Sequence, residues 1–307
     1  MSTFGKATFD TAVYATSRPT YPRSLFDFIF RYHERNKGAR WDRALDLGCG
    51  TGQATVELTP FRKITGIDPS AKMVEGAREM LSKQTVSTEQ FDFVQSPAEK
   101  LDSVEDGSVD LVIAAQAGHW FDWNKMWPEL SRVLRKGGSA SFWIYSEFRV
   151  SRHPSLTPLI NQYAQGTDKL NSVGPYWQQP GRSILENHLL DIPEPNTIVP
   201  GGFSDFERVF FTGSHYPDLP SPRSVILRKK MTWLEFYGYL QTWSSLHTFR
   251  EANPSDAKQP EGDIATRFYK ALMEGVQRES GDGTKEVKET DEVDIEWPVA
   301  MMMVKKA

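Results

Sequence analysis

The sequence contains a glycine triplet placed directly after a short apolar run. The run Arg43–Leu47 predicts a β-strand, and Gly48, Gly50 and Gly52 follow it closely. Glycine lets the backbone turn tightly and lets a ligand approach it, which is how the first strand-to-helix turn of many α/β proteins binds a nucleotide. We therefore expect a parallel sheet with a ligand site at the end of its first strand.

Short apolar runs alternate with helical stretches along the first half of the chain, a pattern that builds a parallel sheet with crossover helices. Two later apolar runs add strands to this sheet. Together they predict an α/β, Rossmann-like fold with a seven-stranded, mostly parallel sheet. The remaining stretches predict helical cap insertions. The predicted strands are 43–47, 63–68, 91–94, 108–114, 139–144, 206–211 and 293–304; the predicted helices are 123–134, ended by Gly137 and Gly138, 231–246 and 264–278; a charged, solvated loop is predicted at 279–292.

Composition argues against several classes of partner. The formal net charge is -4 over 307 residues, so the chain lacks the excess of lysine and arginine that is typical of nucleic-acid-binding proteins. We therefore expect no nucleic-acid partner. No apolar run reaches the roughly 18 to 20 residues of a membrane-spanning helix, and the first residues lack the apolar core of a signal peptide. We expect a cytoplasmic protein with no membrane partner. Cys49 is the single cysteine and the 6 histidines show no metal-binding spacing, so no metal site is expected.

A second acidic residue indicates the type of ligand. Asp68 closes the predicted second strand, roughly 20 residues after Asp46, where a carboxylate can accept hydrogen bonds from both hydroxyls of an adenosine ribose. The glycine spacing is GxGxG rather than the GxGxxG that places a pyrophosphate in nicotinamide enzymes. S-adenosylmethionine is therefore favoured over NAD as the cofactor.

Asp46, Gly48, Gly50 and Gly52 match the motif Asp/Glu-x-Gly-x-Gly-x-Gly, and through it the chain resembles the class I S-adenosylmethionine-dependent methyltransferases. The resemblance implies that the glycine loop lies against the methionine part of the cofactor. It also implies that Asp68 binds the ribose.

In that family, residues after the third strand hold the adenine, which implies cofactor contacts for Ser96, Ala98 and Glu99. Many relatives carry aspartate where this chain has Pro97. Ser96 or backbone groups are therefore expected to replace that side-chain contact.

Three further stretches resemble the fungal trans-aconitate methyltransferase group, whose members methylate carboxyl groups. They are 9–22; 116–122; and a cap stretch, 174–183, with the later 242–245. The resemblance implies that the first folds over the cofactor and that the second lies beside the methyl donor. Tyr14 and Gln116 are the cofactor contacts that it adds.

The sequence shows no internal repeat, low-complexity tract or flexible linker, and its irregular parts stay rich in aromatic residues, so we expect a single methyltransferase domain, 1–307, with four parts. These are an N-terminal cofactor-covering segment, 1–40; a cofactor-binding half, 41–145; mostly cap and acceptor-binding insertions, 146–290; and a last strand, 291–307.

The expected partner is a small-molecule acceptor, preferably a di- or tricarboxylate such as trans-aconitate. A carboxylic acid with a pKa of about 4 is already ionised near neutral pH, so its methylation needs no general base. It does need donors that orient it, and Arg18 and Arg182 are the preferred guanidinium groups, ahead of Arg149.

Four other residues complete the predicted acceptor side. His119 is a hydrogen-bond donor in the preferred interpretation, or a base if the acceptor is a hydroxyl. Trp120 accompanies it in the stretch beside the methyl donor, and Tyr145 and Trp177 belong to an aromatic wall.

Two alternatives remain open from the sequence. The first is an O- or N-methyltransferase of a secondary metabolite with a bulkier aromatic acceptor. The second is a nonenzymatic S-adenosylmethionine-binding regulator. The oligomeric state is also open, and a monomer is compatible with the sequence.

Overall fold

The structure, a computed structural model, describes residues 17–83, 88–279 and 286–307. The chain forms two compact units, each assembled from separate stretches. The sheet unit contains Thr20–Ser146, Pro180–Ile226 and Pro298–Ala307; the helical unit contains Glu147–Gln179, Leu227–Trp297 and the described residues up to Pro19. The stretch 146–290, predicted to be mostly cap, thus contributes to both units.

The sheet unit is built on seven strands, numbered along the whole chain. They are β1 Arg43–Leu47, β2 Lys63–Asp68, β3 Phe91–Gln95, β4 Val109–Ala115, β5 Leu134–Tyr145, β7 Phe203–Phe211 and β10 Val299–Lys306. The strand order is β3-β2-β1-β4-β5-β10-β7. Strands β1 to β5 pair in parallel, whereas β10 lies antiparallel between β5 and β7. This arrangement confirms the predicted Rossmann-like, mostly parallel fold.

Helices pack on this sheet through apolar and aromatic side chains. Trp123 and Trp127 project from one helix onto Phe142 of β5, with ring centroids 5.1 and 6.0 Å apart. Strand β4 is almost entirely buried, as expected for a central strand covered on both faces. The helices of this unit are α1 Arg23–Glu34, α2 Ala71–Ser82, α3 Trp123–Val133, α5 Gly181–Glu186 and α6 Pro195–Ile198.

The helical unit has an aromatic core and a small sheet. Tyr163 stacks on Phe268 at 3.9 Å, and Phe148 meets Phe236 at 4.7 Å. Its helices are α4 Thr157–Gln165, α7 Trp233–Gln241, α8 Ser244–Ala252 and α9 Ile264–Glu279; its strands are β6 Arg149–Val150, β8 Leu227–Thr232 and β9 Glu292–Trp297, in the order β6-β9-β8. None of the helices in the described part of the chain combines the length and apolar character needed to cross a membrane.

Four predicted elements were wrong in their bounds. Strand β7 begins at Phe203 rather than at 206. The run 293–304 is two strands, β9 and β10, because Pro298 has no N–H group and interrupts the ladder between them. Strand β5 begins at Leu134 rather than at 139, since Gly137 and Gly138 lie inside the strand, beside a register shift against β4. The stretch 231–246 is two helices, α7 and α8, joined at Thr242 and Trp243.

Candidate active site

The glycine loop after β1 is held on β2 by backbone hydrogen bonds. The N–H groups of Gly48 and Cys49 both donate to the carbonyl oxygen of Ile67, at 2.7 and 3.0 Å. Gly48 has a φ of +69°, and a Cβ there would lie 2.5 Å from the Cβ of Ala117. A side chain therefore does not fit. A Cβ on Gly50 would meet none of the described atoms within 4 Å, so a ligand has room to approach the backbone there.

The carboxylate of Asp68 ties the glycine loop to the residues before α2. Its Oδ2 accepts a hydrogen bond from the Gly50 N–H at 3.0 Å, and its Oδ1 accepts one from the Ser70 N–H at 2.8 Å. Burial raises the pKa of Asp68, and these two backbone donors oppose the rise. Each oxygen has a second lone pair, so the carboxylate can still accept hydrogen bonds from ligand hydroxyls.

Asp46 is fully buried beside the loop. Oγ1 of Thr55 donates to its Oδ2 at 2.6 Å, whereas no donor reaches its Oδ1 from the described residues. Burial raises the pKa of Asp46 to about 7; the Thr55 hydrogen bond opposes this rise and the charge of Asp68 adds to it. A buried acceptor without a partner indicates a place that a ligand or water donor fills. Thr55 was not among the residues predicted for the site.

The segment after β3 is fixed by local hydrogen bonds. Oγ of Ser96 donates to the carbonyl oxygen of Lys100 at 3.1 Å, and Ala98 is buried in the core. Oε1 of Glu99 accepts a hydrogen bond from the N–H of Asp122, just before α3, at 3.0 Å. These contacts position the segment, and its role at the adenine stays a prediction.

Gln116 joins the ends of β4 and β5. Its Oε1 accepts a hydrogen bond from the Tyr145 N–H at 2.7 Å, and its Nε2 donates to the Tyr145 carbonyl oxygen at 3.1 Å. Its φ is +55°, a conformation that side chains rarely adopt and that is frequent at functional sites. Gln116 thus holds Tyr145, which is buried, and its own contact with a cofactor stays a prediction.

The 3-10 turn Gly118–Trp120 carries a buried histidine beside an exposed tryptophan. The two ring centroids are 4.6 Å apart, and Trp120 is 41% exposed. Nδ1 of His119 has no hydrogen-bond partner within the described part of the chain. Burial, and then the charge of Arg182, lower the pKa of His119 to about 3. Its imidazole is therefore neutral near pH 7.

Helix α5 brings Arg182 to this turn. Arg182 is buried, and its Nε donates to Oε1 of Glu186 at 2.6 Å. A Cβ on Gly181 would lie 2.7 Å from the Trp120 ring and 3.1 Å from the carbonyl oxygen of His119. Only glycine allows this approach. Neither Gly181 nor Glu186 was among the predicted site residues, although Gly181 lies in the motif 174–183.

The other predicted acceptor residues lie in the helical unit. Nη2 of Arg18 donates to the carbonyl oxygen of Thr242 at 3.1 Å, and its guanidinium carbon is 5.6 Å from the centre of the Tyr239 ring. Nε1 of Trp177 donates to a backbone carbonyl at 2.8 Å. Tyr14 lies outside the described residues.

The sheet order and the glycine loop together define the class of protein, that of the Rossmann-like methyltransferases. Residues 45–142 match the family model of a methyltransferase domain. A solved structure from Anaeromyxobacter dehalogenans, ascribed to the type II methyltransferases, superimposes with a TM-score of 0.65 at 24% identity, covering 94% of this chain and 97% of that one. This likeness supports the fold.

Relatives in sequence identify the family. The probable S-adenosylmethionine-dependent methyltransferase of Saccharomyces cerevisiae is 30% identical over 274 residues, covering 87% of this chain and 88% of that protein. A Dictyostelium discoideum protein ascribed to the methyltransferases is 27% identical over 294 residues, covering 95% and 92% respectively. The chain belongs to the class I S-adenosylmethionine-dependent methyltransferases. It is an enzyme, and S-adenosylmethionine is its cofactor.

The residues of the glycine loop fit this cofactor. The Asp68 carboxylate can accept from hydroxyls, and Oδ1 of Asp46 is a buried acceptor that no described residue satisfies. The open backbone at Gly50 leaves room between them. These are the features that an adenosine with a polar amino-acid tail requires.

Proposed function

We propose that this enzyme methylates a carboxylate oxygen of a small di- or tricarboxylate, such as trans-aconitate, to give a methyl ester and S-adenosylhomocysteine. The observation that carries the proposal is the buried Arg182 beside a histidine that stays neutral. S-adenosylmethionine supplies a methyl group already activated on a sulfonium, so the protein has mainly to orient the acceptor and exclude water.

The low pKa of His119 argues against an acceptor that must lose a proton. A base with a pKa of about 3 is too weak to deprotonate a hydroxyl near neutral pH. A carboxylate is ionised already and needs no base. Neutral His119 can donate one hydrogen bond to it, as its Nδ1 has no described partner.

The charge of the acceptor is matched by arginine. Arg182 is buried, and its Nε donates a hydrogen bond to the carboxylate of Glu186. A guanidinium carries five N–H donors in a planar fork, a geometry suited to a carboxylate. We assign Tyr145 and Trp120, which belong to the same unit as Arg182, the exclusion of water.

One observation favours a second candidate. Trp120 is 41% exposed, and an aromatic ring of this size can stack on an aromatic acceptor. An O- or N-methyltransferase of a secondary metabolite would use that surface. Arg182 would then be peripheral to catalysis.

The test is label transfer from radiolabelled S-adenosylmethionine to a panel of small di- and tricarboxylates, phenols and amines. Base-labile label on a carboxylate, with release of S-adenosylhomocysteine, is the expected result. Label on phenols or amines alone would replace the proposal by the second candidate. The variant Arg182→Ala should raise the KM for a carboxylate acceptor while leaving S-adenosylhomocysteine binding unchanged.

A further inference from the structure

Two side-chain hydroxyl groups meet at the carboxyl end of β5, within the sheet unit. Oη of Tyr216 donates to Oγ of Ser146 at 3.3 Å, and this Oγ donates to the carbonyl oxygen of Pro298 at 3.5 Å. The usual O–H···O separation is about 2.8 Å, so both hydrogen bonds are weak. Ser146 is nevertheless buried. A hydroxyl held this weakly can exchange its partner for a ligand oxygen at little cost.

The hydroxyl of Thr212 adds an independent observation beside this pair. Thr212 directly follows β7, and β10 pairs with β5 on one side and with β7 on the other, so Ser146 and Thr212 flank Pro298. Side chains alternate along a strand, which places Thr212 on the face of Phe210, where Tyr216 also packs. Thr212 is completely buried, and its Oγ1 has no hydrogen-bond partner among the residues that the structure describes. Ser146, Thr212 and Tyr216 form a hydroxyl cluster that lacks a ligand or water oxygen.

The hydroxyl cluster adjoins the turn of His119 through the ends of β4 and β5. Ser146 directly follows Tyr145, and the side chain of Gln116 bonds both the N–H and the carbonyl oxygen of Tyr145. Gln116 in turn begins the stretch that leads into the 3-10 turn with His119. The cluster and His119 therefore lie at the same edge of one sheet, the edge at which α/β proteins bind their ligands.

The turn after α5 connects the cluster to Arg182. The N–H of His188 donates to the last turn of α5 at 3.0 Å, and the His188 ring lies 4.2 Å from that of Tyr216. His188 and Leu189 have φ values of +52° and +62°, which side chains rarely adopt. The guanidinium of Arg208 holds this turn by donating to the carbonyl oxygen of Leu189 at 2.6 Å. Strained turns that are held in this way are frequent at functional sites.

We propose that the hydroxyl cluster of Ser146, Thr212 and Tyr216 binds a carboxylate of the acceptor other than the one that is methylated. The proposal rests on the proposed function and extends it, because it names the residues that select a second carboxylate. Each carboxylate oxygen accepts more than one hydrogen bond, and hydroxyl donors bond to it strongly. The cluster supplies such donors without charge, whereas Arg182 supplies the charge for the first carboxylate.

Thr212→Val tests the cluster because it exchanges a buried hydroxyl for a methyl group of similar size. The hydroxyl has no described partner to lose, so the melting temperature should hold or rise. Binding of tricarballylate, measured by calorimetry with S-adenosylhomocysteine present, should weaken about three- to tenfold, as expected for the loss of one hydrogen bond. The matched control is Ser141→Ala, which removes another buried hydroxyl without a described partner, on the opposite face of β5 from Phe142.

Tyr216→Phe is the second variant, since it removes the hydroxyl and keeps the ring beside His188. Tricarballylate binding should again weaken several-fold. Its control is Tyr32→Phe on α1, which removes a hydroxyl that donates to the carbonyl oxygen of Asp205. The control should bind tricarballylate as the wild type does.

Each outcome decides the question. Weaker tricarballylate binding in both cluster variants, with S-adenosylhomocysteine binding unchanged and both controls like the wild type, supports the site. Unchanged tricarballylate binding in either cluster variant overturns it, even if carboxylates are methylated. A lower melting temperature in Thr212→Val would show that the hydroxyl is bonded within the protein and would also overturn it. If the wild-type protein neither binds tricarballylate nor labels any carboxylate, the proposed function has failed, and this site fails with it.

Discussion

Among single residues, His119 should make the stability of the protein depend on pH. Its pKa is about 3 in the folded protein, because it is buried and lies near Arg182, against about 6.5 in an unfolded chain. At a pH between these two values, His119 is protonated only in the unfolded state, and this protonation favours unfolding. The free energy of unfolding is therefore highest above pH 6.5 and decreases as the pH falls toward 3, by about 2 kcal/mol at pH 5.

This prediction is checked by urea unfolding at pH 7.5 and pH 5. The wild type should lose about 2 kcal/mol more unfolding free energy over this interval than His119→Gln, which cannot titrate. Equal losses in wild type and His119→Gln would show that folding does not lower the pKa of His119.

Asp68 should be the residue on which cofactor affinity depends most. Asp68→Asn keeps the shape of the side chain but removes its negative charge. The carboxylate accepts hydrogen bonds from the N–H groups of Gly50 and Ser70 and, as predicted, from the ribose hydroxyls. Hydrogen bonds to a charged group contribute about 1.5 to 3 kcal/mol, so the Kd for S-adenosylhomocysteine should rise by roughly tenfold or more. Calorimetry measures this, with Asp92→Asn on β3 as the control; an unchanged Kd would exclude the ribose role.

At the scale of elements, the approach of α5 to the 3-10 turn depends on Gly181. Gly181→Ala would place a Cβ 2.7 Å from the Trp120 ring, so the helix and its Arg182 must move away. We expect the acceptor KM to rise several-fold while S-adenosylhomocysteine binds as before. Gly38→Ala, whose Cβ would meet only Oδ1 of Asn36 at 3.7 Å, is the matched control. Equal kinetics in both variants would remove Arg182 from the acceptor site.

Elements with strong local signals were predictable and others were not. Strands β1 to β4 lie within a residue of their predictions because each is an apolar run bounded by polar or small residues. Strand β8, Leu227–Thr232, was missed because arginine and lysines dominate it. The break between α7 and α8 contains no glycine or proline, and the helical pattern of apolar residues continues across it. The sequence therefore predicted one helix where the structure has two.

The candidate active site also combines residues that the sequence predicted with properties that it did not. The glycine loop and Asp68 follow from local spacing, and the structure brings Asp68 onto Gly50 as that spacing implies. The neutrality of His119 was not predictable, since it depends on burial and on an arginine distant in sequence.

At the scale of the whole molecule, cofactor binding should stabilise the fold selectively. A ligand at 100 times its Kd adds about 2.7 kcal/mol to the unfolding free energy, which for a chain of this size is a rise in Tm of roughly 5 °C. S-adenosylhomocysteine should produce this rise and NAD at the same concentration should not. Differential scanning calorimetry decides it, and a shift with NAD would reopen the nicotinamide alternative.

The position of β10 also has a consequence for how the protein is made. Strand β10 follows β5 and β7 along the chain yet lies between them in the sheet. During translation both strands therefore leave the ribosome with facing edges unpaired, a state that invites aggregation. Ribosome-bound chains halted before Val299 should accordingly bind chaperones, whereas full-length chains released from the ribosome, in which β10 can pair, should not. Demand for chaperones would then follow from strand order rather than from composition.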